Sequence, residues 1–508
     1  MLSILIWLPI AGAVIVSLFG TKLFGAMLDS KQLRNISIVI AIANFGWSLF
    51  LLTKFDIGAS TMQISESLSW LDQIGLSYRL GIDGLSFPLV LLNGLLLVIA
   101  LYISDEVQRP QLYFPLLLLL GGGVNGAFLS ENLLLFFLFF ELELIPLYLL
   151  ISIWGGERRS YAATKFLIYT AISGVLILAA FFGMAALGSG EGIAFTFNYL
   201  DLDLASVPKR TQGILLLLLL LGFGIKIPIV PLHTWLPDAH VEASTPVSTL
   251  LAGVLLKLGT YGLLRFGLGL LPEAWQAIAP FLAGWAVVSV IYGCLTAINQ
   301  TDMKKMVAYS SVGHMGYILL ALAAATPLSL VGATFQMVSH GLISALLFIL
   351  VGIVYKKTGT RNINSLNGLL NPERGLPVTG SLMILAAMAS AGTPGMVGFI
   401  AEFVIFRSSF AVFPVQTLLC MIGTGLTAVY FLIMIDRVFF GRLGVEIGAN
   451  QALISEFPFA KWQERFPAIA LALIIVFFGL LPNFATGLIE NSAKAIAPNQ
   501  TKLANLSD

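Results

Sequence analysis

GFGIKIPIVPLHTWLPDAHVEASTPVSTLLAGVLLKLGTYGLLRF, from Gly222 to Phe266, decides how the chain is read. It follows an unbroken leucine run, where a membrane helix is at its most apolar. Lys226 comes at once, then Pro228 and Pro231, then His233 and His240. Beyond Asp238 and Glu242 the chain turns apolar again, yet it carries a second lysine, Lys257. A charge at the bilayer centre costs about 2.5–3.5 kcal/mol on insertion scales, so an intramembrane lysine is a functional candidate by default. Proline frees backbone carbonyls, which a membrane protein tolerates where the backbone is buried in protein or lines a wet cavity. A broken helix with one lysine, beside a helix with another, has the chemistry of an ion path.

Working outward, the composition places the whole chain in a bilayer. Of its 508 residues, 58% are hydrophobic and 10% charged, against about 25% charged in soluble domains. A net charge of +1 and the lack of a long basic run argue against nucleic acid. Cys294 and Cys420 each sit in an apolar run and read as core thiols, too few to hold an iron–sulfur cluster. The first apolar run, Leu2–Phe19, lacks a basic leader and a cleavage site, so it is expected to be a retained helix.

Windows of about 20 apolar residues predict about 14 spans, making an all-α polytopic membrane protein. The expected limits are 2–20, 34–54, 84–104, 111–130, 132–153, 161–187, 213–232, 244–267, 275–298, 303–325, 329–355, 376–408, 415–440 and 466–489. The gaps 55–83, 188–212, 356–375 and 441–465 read as connecting loops. Sixteen basic residues, Lys22, Lys304 and Arg374 among them, fall in loops after odd-numbered helices. Five fall on the other side: Arg79, Lys209, Arg210, Lys494 and Lys502. The positive-inside rule then puts both termini on the periplasmic or lumenal side. Lys165 lies about one turn into its helix, where snorkelling to the interface competes with a role in the path.

The fifth helix carries Glu141 and Glu143 with no other charge around them. Two residues apart, they point to different faces, so at most one faces Lys226 directly. A buried carboxyl kept protonated is the bland alternative for each. His233, His240, His314 and His340 all lie in or beside apolar segments, at spacings that do not suit a metal site. Imidazoles bonded to water, titrating near neutral pH, fit better. In the twelfth segment Gly392, Pro394, Gly395 and Gly398 break the helix and Glu402 supplies a charge. Broken, charge-bearing segments in corresponding places of two halves signal inverted-repeat transporters. The spacings agree: Glu141 to Lys226 is 226 − 141 = 85 residues, and His314 to Glu402 is 402 − 314 = 88. The expected organisation is a three-helix segment (1–110), a first repeat (111–267), a second, inverted repeat (275–440) and a last loop, helix and tail (441–508). GGGVNG at Gly121–Gly126 matches a dinucleotide fingerprint only formally, for no strand precedes it and close helix packing explains its glycines.

KIPIVPLHTWLPDAHVEASTPVSTLLAGVLLKLGTYGLLRF, with SVGHMGYILLAL at 311–322 and FQMVSHGLISALLF at 335–348, resembles the antiporter-like proton-translocating subunits of respiratory complex I. The resemblance covers about the whole chain. Glu402 stands where Mrp-type antiporters and the NuoN-like and NuoL-like paralogues usually have lysine, which favours the NuoM/NdhD type. The chain also stops some 19 residues after its last expected span, with no long lateral helix. ELELIPLYLLISIWGGERRSYAATKFLIYTA at 141–171 is similar to the NdhD form of cyanobacteria and plastids. Phe140, in place of a frequent tryptophan, and the short apolar N-terminus mark a departure that fits the divergent NdhD copies of CO2-uptake complexes.

The resemblance implies a thylakoid NDH complex that passes electrons from ferredoxin or NAD(P)H to plastoquinone. This chain would bind none of those cofactors and would sit among antiporter-like neighbours and lipids. The resemblance assigns Glu141 and Lys226 as the coupling ion pair, Lys257 as the central lysine and Glu402 as the exit group. His314 would belong to the connecting path, and so, with a weaker match, would His233, His240 and His340. The alternative is a subunit of an Mrp-type cation/proton antiporter or of a membrane-bound hydrogenase.

Overall fold

The computed structural model describes residues 1–20, 28–105, 107–189, 195–373, 375–445 and 460–498. Lys22, Arg374 and Lys502, used above for topology, lie outside them. Among the described residues eleven helices are long and apolar enough to cross a membrane, where about 14 spans were expected. The other expected crossings are short or interrupted. Phe87–Ile103 has 17 residues. Lys209–Lys226 is followed, after a gap, by Trp235–Glu242, and Pro377–Ser390 by Val397–Phe410. The two interruptions fall where the sequence predicts them. Pro228 and Pro231 have no N–H to continue the first, while Gly392 (φ +69°) and Gly395 (φ +88°) take the left-handed backbone that ends the second.

Burial sorts the helices into a core and a shell. Thr245–Leu268 is buried throughout its most apolar window, and Met303–Ala324 and Pro327–Thr358 over 94% of theirs. Arg159–Gly188 and Pro414–Phe439 are 39% buried, each with one apolar face outward. A helix apolar on all sides belongs inside, and one facing acyl chains keeps its outward leucines and phenylalanines exposed. The three central helices are the ones that carry Lys257, His314 and His340.

Three gaps read as loops hold more structure. Residues 55–83 contain an antiparallel hairpin, Gln63–Leu71 with Leu76–Ile82, turned at Gly75 (φ +70°). Leu76, Tyr78, Leu80 and Ile82 alternate with Ser77, Arg79 and Gly81, a period of two that 20-residue windows average away. The hairpin is pinned to the bundle by a bridge from Leu80 to Ser130. The other two are joined: Leu366–Asn367, in 356–375, pairs with Gly444–Val445, in 441–465. The last expected span, 466–489, is split at Pro482 into Trp462–Leu480 and Asn483–Ile496. The second of these returns to the start of the Phe87–Ile103 helix, where Gly84 N–H donates to Ser492 Oγ at 2.9 Å. Cys294 and Cys420 are free, buried thiols.

Candidate functional site

Two clusters of charge lie inside the bundle. The first gathers around Lys226, the last residue of its helix and 3% exposed. Its ammonium forms an ion pair with Glu143 and stands 4.6 Å from the centre of the Phe140 ring. The pairing corrects the expectation that Glu141 would face Lys226. The reason is local. The fifth span is two helices, Leu133–Leu142 and Leu144–Trp154, with Glu143 in the turn between them. Pro146 has no N–H for the Leu142 carbonyl, so one helical hydrogen bond is missing there, and Glu143 is the carboxylate that meets Lys226. Glu141 lies instead against Gly174: a Cβ at that glycine would come within 2.4 Å of Glu141 Oε1, so the contact needs glycine. Glu141 Oε1 is buried with no hydrogen-bond partner among the described residues.

The second cluster runs from Lys257 to Glu402. Lys257 is fully buried and donates to the Ala252 carbonyl, which a π-helical turn at Leu251–Leu255 presents to it. Such turns inside α-helices are frequent at functional sites. Lys257 Nζ lies 2.7 Å from His340 Nδ1, and the His340 and His314 ring centres are 5.6 Å apart. His314 Nε2 stands 3.7 Å from Glu402 Oε1. Both His314 nitrogens face carbonyl oxygens, Nδ1 that of Ser310 at 2.8 Å and Nε2 that of Ser390 at 3.2 Å. A neutral imidazole has one N–H to give, so the ring has a place prepared for a second proton. Glu402 Oε2 accepts from Thr424 Oγ1 at 3.1 Å. A cavity about the size of one water molecule lies among His314, Gln336, Ser339, His340 and Glu402. Gln336 Oε1 and Ser339 Oγ have no protein partner among the described residues, which suits a bound water there.

Glycines set these distances. A Cβ at Gly392 would meet Glu402 Oε2 at 2.9 Å, and one at Gly259 would come within 3.2 Å of Lys226 Cβ. The Lys226 segment thus rests directly on the Lys257 helix. A Cβ at Gly341, next to His340, would meet the Gly253 carbonyl oxygen and Leu92 Cδ2 at 2.6 Å each. Gly341→Ala is therefore expected to force the Lys257 and His340 helices apart and to cost about 1–3 kcal/mol. Thermal unfolding of the purified assembly measures this, and an unchanged midpoint would show that the helices adjust freely.

The remaining predicted residues flank this line. Lys165 Nζ bonds Asp238 Oδ2 at 2.7 Å, so it is paired with the broken segment. His233 packs on Tyr292 and Tyr309. His240 is fully buried and stacked 4.5 Å from Phe348, and neither ring nitrogen has a partner among the described residues. Lys304, read above as a loop charge, is buried and donates to the Ala243 carbonyl. Sequence reasoning also missed Thr424 and a buried pair, Arg265 Nη2 to Asp83 Oδ2 at 2.6 Å. The last had a signal: Arg265 falls four residues after Tyr261 and eight after Lys257, on one helix face.

Known proteins resemble this chain in sequence and in fold. The family described as "NADH:quinone oxidoreductase/Mrp antiporter, TM" matches residues 130–427, more than half of the chain. The chain belongs to that family. It is 40% identical to "NAD(P)H-quinone oxidoreductase chain 4 2" of Microcystis aeruginosa, over 98% of this chain and 92% of that one. It is 41% identical to "NAD(P)H-quinone oxidoreductase chain 4 1" of Synechococcus elongatus, over 97% and 90%. Both of these curated relatives are chain 4 (NdhD) proteins of cyanobacteria. Among solved structures, a chain of respiratory complex I from Thermus thermophilus superposes with TM-score 0.86 at 26% identity, covering 98% of this chain and 99% of that one. A chain of the Mrp complex from Dietzia also gives TM-score 0.86, at 20% identity over 100% and 99%, which is a likeness of fold.

Proposed function

We propose that this chain is a proton-translocating membrane-arm subunit of a photosynthetic NDH complex, in which quinone reduction by NAD(P)H or ferredoxin drives proton transfer. The observation that carries the reading is the line Lys257–His340–His314–Glu402, an unbroken set of titratable groups within one buried core. Proton hops need donors and acceptors at hydrogen-bond reach or one water apart. Lys257 Nζ and His340 Nδ1 meet the first condition, and the cavity between the histidines and Glu402 supplies the second. The Lys226–Glu143 pair is the switch. With the carboxylate close, the ammonium holds its proton; with the carboxylate withdrawn, it becomes a better donor toward Lys257. Glu141, half-buried nearby with its Oε1 unpartnered among the described residues, is the second seat for that charge.

Electrons travel in other subunits, and plastoquinone is the acceptor that the cyanobacterial relatives point to. The thylakoid membrane is then the site of action, with both termini on the lumenal side, as the positive-inside bias supports. Purification of the native assembly tests the class. Peripheral iron–sulfur subunits are expected to copurify, and if cation-antiporter subunits do so instead, the Mrp reading replaces this one.

The two carboxylates are told apart by substitution. Glu143→Gln removes one partner of a buried ion pair and is expected to cost about 3–5 kcal/mol of stability, as well as pumping. Glu141→Gln neutralises a half-buried carboxyl outside that ion pair and is expected to reduce pumping with a smaller loss of stability. Melting of the assembly, with protons taken up per quinone reduced, separates them. A larger stability loss in Glu141→Gln would assign the resting pair to the other carboxylate.

A further inference from the structure

Lys257 has a second polar column beside it that the path above does not use. Lys257, Tyr261 and Arg265 recur every four residues and share one face of the buried helix. Tyr261 Oη donates to the Phe128 carbonyl at 3.2 Å and accepts from Arg265 Nε at 3.3 Å. The Arg265 guanidinium lies 5.3 Å from the Tyr261 ring centre and bonds Asp83 at 2.6 Å. Tyr199 Oη is buried nearby without a partner among the described residues. Glu131, 1% exposed, is bound by Arg79 at 2.9 Å, and Arg79 in turn binds Asp201, which is 45% exposed. Tyr261, Asp83 and Glu131 thus place a hydroxyl and two carboxylates in the interior beside the Lys257 helix, and Arg79 ties Glu131 to the exposed Asp201.

We propose that the Arg265–Asp83 pair is an electrostatic seal on this column, so that protons reaching Lys257 leave through His340, His314 and Glu402 and not along the lysine's own helix. An arginine stays protonated throughout the physiological range, so it cannot relay a proton by giving one up. Its fixed charge also opposes the approach of another cation, as charged residues do in pores that exclude protons. The pair is held still. Asp83 Oδ1 accepts from the backbone N–H groups of Leu85 and Ser86 at 3.1 and 3.0 Å, leaving Oδ2 for Arg265. The Asn483–Ile496 helix lies over the turn: a Cβ at Gly84 would be 1.9 Å from the Leu488 carbonyl oxygen. Buried ion pairs are weak evidence for stability, because an apolar pair of similar volume is often as stable. A barrier to ions gives this one a reason to be charged.

The proposal rests on the reading that Lys257 carries protons. The test uses the complete complex in sealed vesicles and follows decay of an imposed pH gradient with no electron donor present. Arg265→Gln is expected to speed the decay about tenfold or more, a change that needs about 1.4 kcal/mol off the barrier. Asp83→Asn, which keeps the turn but leaves the guanidinium unanchored, is expected to leak to a lesser degree. Adding Tyr261→Phe to Arg265→Gln removes a rung and is expected to restore tightness. If whichever of Arg265→Gln and Asp83→Asn assembles is as tight as the parent, the pair is structural and the proposal is wrong. A leak that Tyr261→Phe does not reduce would overturn the route. Decay is read without turnover, whereas pumping is read during quinone reduction, so this inference and the assigned function fail separately.

Discussion

Vesicles containing the complex with Glu402→Gln are expected to reduce quinone while transferring no protons through this chain. Glu402 ends the polar line: Oε1 faces His314 at 3.7 Å and Oε2 accepts from Thr424 at 3.1 Å. Glutamine keeps the volume and can still accept from Thr424, so packing should survive. It has no proton to exchange, so a hop from His314 has nowhere to go. Glu402→Lys should keep part of the activity, since related subunits place lysine there. Proton uptake measured beside quinone reduction decides the matter. A parental ratio of protons to electrons in Glu402→Gln would make the residue a structural charge.

Lys257→Met is expected to have an equally large effect on pumping and the opposite effect on stability. The side chain is fully buried, and its ammonium meets the Ala252 carbonyl and His340. Methionine matches the length of the stem and fills the same space. Replacing buried charge by an apolar side chain is often neutral or stabilising by about 1–4 kcal/mol. The assembly should therefore melt no lower than the parent while pumping stops. Loss of assembly would mean that the lysine holds the core together; retained pumping would mean that protons bypass it.

Much of this was legible in the sequence, for physical reasons that differ by residue. Charge in a bilayer is costly enough that Lys226, Lys257 and Glu402 stand out against leucine, and the prolines and glycines mark both breaks. The choice between Glu141 and Glu143 was not legible. Helical periodicity says that the two carboxylates face different ways, but it does not say which way Lys226 lies, because that lysine comes from another helix. The direct contact of Lys257 with His340 depends on two helices 83 residues apart in sequence, and spacing along one helix carries no sign of it. The hairpin was hidden by a window suited to membrane helices, although its period of two is visible once shorter windows are used.

The cavity between His314 and Glu402 also fixes which ion can pass. It has room for about one water, so a sodium ion with its hydration shell does not fit. A bare sodium ion would need a cage of oxygen ligands, as hard cations do. Around this cavity stand two imidazole rings and one carboxylate, with neutral oxygens from Gln336, Ser339 and Ser390. A proton needs neither space nor a cage, because it moves as a bond exchanged between neighbours. Turnover in choline medium free of sodium should therefore build the same gradient as in sodium medium, and added sodium should neither speed the cycle nor collapse the gradient.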